Sequence, residues 1–116
     1  MSANKFRDYT RYRNNAVTNT KILIRAGACT LRGMIINNPN ASEAFIQMFD
    51  AAATGDVTLG TTVCDEPIKI PSSGSITLWG NDIKTYFDLG LVIAATTTEG
   101  GSTAPVSALS VVLRYS

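Results

Sequence analysis

Few side chains in this sequence could do chemistry: Cys29 and Cys64, the adjacent carboxylates Asp65 and Glu66, and the separate Asp50 and Asp56. Histidine is absent, so the commonest general base is missing. Ser-His-Asp and Cys-His constellations therefore cannot be assembled within the chain. Asp65 and Glu66 precede Pro67 at a turn, and consecutive strand side chains point to opposite faces, so the pair reads as a solvated turn rather than one acid–base site. Asp50 and Asp56 lack the alternating oxygen ligands of a calcium loop. Asp50 reads instead as a strand-end cap accepting backbone N–H bonds in the loop that follows. Neither GxxxxGK nor GxGxxG occurs, so no phosphate cradle is indicated. The cysteines have no CxxC spacing and read as small buried thiols rather than a zinc site or a disulfide. The expectation is no enzyme, no catalytic residue, no metal and no cofactor.

The remaining polar chemistry gathers at the N-terminus. Lys5, Arg7, Arg11 and Arg13 stand against Asp8, a local excess of +3 in a chain whose net charge is +1. Phe6, Tyr9 and Tyr12 are interleaved with them, and no apolar period marks a helix. Residues 1–19 are expected to be an extended arm that orders on a partner, with Lys5, Phe6, Arg7, Tyr9, Arg11, Tyr12 and Arg13 as its contacts. A frayed, solvated terminus is the plainer alternative. Basic and aromatic residues together also suit single-stranded nucleic acid. That partner is disfavoured, because four cations without a wider basic surface would bind weakly and release in salt.

The elements that must position these residues read as strands. From Lys21 onward, short apolar runs alternate with turn signals at intervals of about eight to twelve residues, the mark of a sandwich or barrel. "KILIRA" alternates, and "ACTLRGMII" places Cys29, Leu31, Gly33 and Ile35 on one face, with Thr30, Arg32, Met34 and Ile36 on the other. "NNPNAS" is a turn built on Asn and Pro. "EPIKIP", "SITLW", "IKTYFDL", "GLVIAATT" and "VSALSVVLRYS" continue the series. "SEAFIQMF" fits both a helix face and a strand's period of two; its β neighbours favour strand, followed by a loop into a short edge strand at Val57 to Leu59. The predicted fold is all-β: an antiparallel, jelly-roll-like sandwich of about eight strands over 20–116.

Both faces of "GMIIN" and "EAFIQMF" are apolar, whereas a strand with one wet face alternates more cleanly. Met34, Ile36, Phe45 and Phe49 are thus expected to meet another subunit, the alternative being cover by a loop of the same chain. Trp79, opposite the core residues Ile76 and Leu78, is expected to project outward as an interface anchor. Only 16% of residues are charged, in keeping with a surface partly covered by partners. No apolar run approaches a membrane span, and the N-terminus lacks a signal peptide's apolar core, so synthesis in a cytoplasm is expected.

The stretch "CTLRGMIINNPNASEAFIQMFDAAATGDVTLGTT" resembles a group of small tailed-bacteriophage virion proteins. The shared features are Leu31, Gly33, the aliphatics Met34 to Ile36, Asn37, the aromatic-Asp pair Phe49 and Asp50, and Gly60–Thr61 closing an Ala-rich loop. A proline-closed strand and small-residue turn at Ile70 to Ser75 and an aliphatic strand after Gly90–Leu91 extend the likeness over roughly 21–115. The chain departs from the group in its "SSG" turn and its basic, aromatic leader. The resemblance implies a jelly-roll-like sandwich serving in a virion: a capsid decoration (cement) protein, made in the host cytoplasm, that bridges neighbouring capsid subunits. Its partners would be other viral structural proteins, the major capsid protein foremost, and further copies of itself in a homo-oligomer, with no membrane. Alternatives are a neck, tail or fibre-associated component, or a carbohydrate-binding module stacking sugars on Trp79 and Tyr86.

Overall fold

A computed structural model describes residues 10–79 and 86–116, which form nine strands: β1 (Thr10–Val17), β2 (Ile22–Ala26), β3 (Cys29–Asn38), β4 (Ala44–Asp50), β5 (Glu66–Ile70), β6 (Gly74–Trp79), β7 (Tyr86–Phe87), β8 (Gly90–Thr96) and β9 (Leu109–Tyr115). They build two antiparallel sheets, the first in the order β1-β9-β3-β6 with the two-residue β7 on the start of β3, the second in the order β2-β8-β4-β5. The pairings β1 with β9, β2 with β8, β3 with β6 and β4 with β5 nest inside one another. One long hairpin rolled upon itself gives this nesting, so the sandwich is a jelly roll. Its core lies between the sheets, where Leu31, Met34, Ile36, Ile46, Met48, Ile93, Leu109 and Leu113 are all fully buried. Among the described residues no helix is long and apolar enough to cross a membrane.

Three expectations are corrected. Residues 10–17 are not an arm but β1, the edge strand of the first sheet, paired with β9 from Thr10↔Tyr115 to Val17↔Leu109. Alternation explains it: Tyr12 packs on the core while Arg11 and Arg13, two residues apart, share the outer face. Lys5, Phe6, Arg7 and Tyr9 lie outside the described residues. In β3 the register shifts between Leu31 and Gly33, so Arg32 is an extra residue in a bulge. The bulge resets the period of two, and Cys29, Leu31, Met34 and Ile36 all face the core. Third, Val57 to Leu59 is no strand: a short 3-10 turn at Thr54–Asp56 precedes it, and Val57 is buried in the loop.

That loop decides the fate of the doubly apolar strands. Phe49 and Val92, on the outer face of the second sheet, form a small core of their own with Ala51 and Val57, flanked by Leu59 and Cys64. Lys21 donates to the Val57 carbonyl and so ties the loop to the entrance of β2. On the same face Gln47 donates to Thr96 Oγ1 (2.8 Å) and to the Gly101 carbonyl (3.0 Å), holding the β8–β9 connection down. The chain seals its own second sheet. Phe45 and Phe49 are 8% and 1% exposed, and Met34 and Ile36 belong to the main core, so none of the four forms an intersubunit surface.

Candidate docking face

The outer face of the first sheet has no such cover among the described residues. Reading across the strands, Arg11 of β1 lies opposite Arg114 of β9, Arg114 opposite Gly33 of β3, and Gly33 opposite Trp79 of β6. The next row on that face is Arg13, Val112, Ile35 and Thr77. Ser110, Asn37 and Ser75 make a third row. Tyr86, beside Thr30, is exposed on the same side. At the bulge Arg32 Nε donates to Ser116 Oγ at 3.1 Å. The small or absent side chains of Gly33, Ser75, Thr77 and Ser110 share this face with exposed Arg11, Arg13, Arg32, Trp79 and Tyr86 and with half-buried Arg114.

Trp79 owes its pose to Gly33. A Cβ at position 33 would sit 2.8 Å from Trp79 Cε3, so only glycine lets the benzo edge lie down on the sheet there. The ring is still 56% exposed, so it projects outward as expected.

Among the described residues of its strands the face is one-signed. No Asp or Glu occurs in β1, β3, β6, β7 or β9, while four arginines do. The one ion pair among the described residues is Lys69 with Glu43 at 3.4 Å, in and beside the second sheet, so no described carboxylate neutralises Arg11, Arg13, Arg32 or Arg114. Arg11 and Arg114 are directly cross-strand, an arrangement of like charges that costs stability.

The groups able to do chemistry are engaged elsewhere. Asp50 accepts from the backbone N–H of Leu89 (2.8 Å) and of Asp88 (3.1 Å), capping the β7–β8 turn rather than the loop that follows Asp50. Asp65 Oδ2 accepts from the Asp50 N–H at 2.8 Å. Cys29 and Cys64 are free thiols, and burial pushes both above the usual thiol range, which keeps them protonated near neutral pH. No three described His, Cys, Asp or Glu residues gather to hold a metal ion. A groove of about 440 Å³ between Pro39–Glu43 and Pro105–Ser107 contains one ionisable group, Glu43, and that is the carboxylate paired with Lys69.

Of the residues singled out from sequence, the structure brings Arg11, Arg13 and Trp79 to one face. It turns Tyr12 inward and buries Met34, Ile36, Phe45 and Phe49. Sequence reasoning missed Arg32, Ile35 and Arg114 as members of this face. Arg114 was legible in the alternation of "SVVLRY"; Arg32 was hidden by the bulge beside it. Neither a protein-family model nor a curated protein matches the chain. What fold and face define is a jelly-roll domain with one sealed sheet and one arginine-bearing sheet that no described residue covers.

Proposed function

We propose that this chain is a non-enzymatic structural protein of a tailed-bacteriophage virion, a capsid decoration protein that bridges neighbouring capsid subunits, and that it engages protein partners through the outer face of the first sheet. The observation that carries the reading is the asymmetry between the sheets: the second is sealed by the chain's own loops, whereas among the described residues nothing covers the first, which bears Trp79, Tyr86 and four arginines. Trp, Tyr and Arg are the residue types that dominate binding energy at protein interfaces. The resemblance over roughly 21–115 supports the virion setting, and the jelly roll is the fold that resemblance implied. A net charge of +1 and an isoelectric point near 7.8 weigh against nucleic acid, whose binding domains are strongly basic. Each docked copy burying about 1,600 Å² could bind modestly and still reinforce a shell through many linked contacts.

The test is to count this protein in purified particles and to measure the occupancy of an Arg11→Glu/Arg114→Glu variant on particles lacking it. Hundreds of copies, and a variant occupancy at least tenfold lower, are expected. A dozen copies or fewer would move the protein to the neck or tail, and absence from particles would overturn the reading. One observation favours a second reading: Trp79 and Tyr86 are exposed on the same side of β3, as a sugar-stacking platform would be. Glycan-array binding that Trp79→Ala abolishes would establish that reading instead.

A further inference from the structure

We infer that the partner of the open face is a second copy of this chain, docked head to tail: the arginine face of one molecule lies against the carboxylate-bearing side of the next. The inference rests on reading that face as a protein-docking surface, and it names the occupant.

The charges are segregated by layer. The first sheet carries Arg11, Arg13, Arg32 and Arg114 and no carboxylate. The second sheet and the connections that flank or cover it carry every described carboxylate, seven in all, against three cations: Lys21, Arg25 and Lys69. Lys69 is already paired with Glu43. Asp56, in the loop that seals the second sheet, and Asp88, in the turn that leads from β7 of the first sheet into β8 of the second, are exposed, and no described residue donates a hydrogen bond to either carboxylate. The molecule therefore carries the complement of its own docking face. Complementary potentials of this kind steer encounter and fix register.

Symmetry selects the geometry. A two-fold contact through the open face would bring together two strand sets that each carry four arginines and no carboxylate, wherever the axis falls. Like-charged faces repel, which favours the contact that sets arginines against carboxylates over the isologous one. Arginine face on carboxylate side is a heterologous contact, and repetition of such a contact closes into a ring or runs into a filament. Guanidinium forks meeting carboxylates give the bidentate geometry that makes such contacts specific.

The test uses the full chain. Sedimentation velocity at about 0.1 M and about 1 M salt spans Debye lengths of about 10 Å and about 3 Å. The wild-type protein is expected to associate at low salt and to do so at least tenfold more weakly at high salt. Arg11→Glu/Arg114→Glu is expected to be monomeric, as is Asp56→Lys/Asp88→Lys, each with the far-ultraviolet circular dichroism of the wild type. When the two reversed variants are mixed, association is expected to return, because each then offers the charge the other needs. A monomeric wild-type protein at low salt overturns the inference. So does an oligomer indifferent to the arginine reversals, or two folded variants that ignore each other when mixed. Co-purified nucleic acid released by those reversals would replace the second copy with a polyanion. Arginine-dependent particle occupancy by a protein monomeric in isolation would leave the virion reading standing and refute only this one, the occupant then being an acidic surface of another protein.

Discussion

Gly90 sits where three backbones converge. Its φ is +151°, and a Cβ there would lie 2.5 Å from both the Ala51 and the Arg25 carbonyl oxygens. The Gly90 carbonyl in turn accepts the Ala51 N–H at 3.2 Å, so the position joins β8 to the end of β4 as well as to β2. Backbone oxygens cannot step aside as a side chain can. Gly90→Ala is expected to cost at least about 3 kcal/mol, from overpacking and an unfavourable φ together. At Gly33 the closest neighbour is a ring edge, which can swing away, with the Leu78 carbonyl oxygen farther off at 3.2 Å, so Gly33→Ala is expected to cost about 1 kcal/mol and to shift the fluorescence of Trp79, the only tryptophan. Urea unfolding of both variants checks the contrast, and equal losses would contradict it. Neither glycine's reason was visible in sequence. Asp50 was legible as a cap because a short acceptor at a strand end has few other uses, but its partners, 38 and 39 residues away, were not.

Among the elements, β1 and β3 mark the limit of reading by period. Alternation alone identified "KILIRA", "EPIKIP", "SITLW" and "VSALSVVLRYS" as strands, and it holds there because one side faces the core and the other solvent or an edge. It failed in β3, where one bulged residue moved Met34 and Ile36 from the expected outer face to the core. It was overlooked in β1, where arginines at 11 and 13 suggested an arm although their spacing of two is that of a strand. The doubly apolar β4 was legible as twice-buried; what covers its second side is a loop of low apolar content, which no local pattern announces. From β1 follows an expected outcome for truncation. Removing residues 1–9 is expected to leave the sandwich folded, with its melting temperature within about 3 °C of the full chain. Removing 1–17 strips β1 from β9, takes Tyr12 and Val17 from the core and bares the long strand β9 as an edge. That variant is expected to melt at least about 10 °C lower or to aggregate. Thermal unfolding of both truncations decides the matter; a stable, soluble 18–116 fragment would return residues 10–17 to the status of an arm.

For the molecule as a whole, composition conceals what the fold does with charge. A chain of net charge +1 and 16% charged residues describes a bland surface, because counting cannot see that a jelly roll alternates its strands between two sheets. Here the alternation sends the arginines of "TRYRNN", "CTLRG" and "VVLRYS" to one layer and leaves the described carboxylates with the other and with the connections that flank it. A protein so divided should behave as a cation on one side and an anion on the other at the same pH. At about pH 9, above the isoelectric point near 7.8, its net charge is at or below zero. Arginine remains fully protonated there. Retention at low salt on both a sulfonate and a quaternary-amine resin is therefore expected, since a resin bead samples one face at a time, within a screening distance of about 10 Å at about 0.1 M salt. Arg11→Glu/Arg114→Glu is expected to lose the sulfonate retention and to bind the amine resin more tightly. A wild-type protein that passes unretained through the sulfonate column would show its charges to be mixed over the surface, and the open sheet would then have no electrostatic claim on any partner.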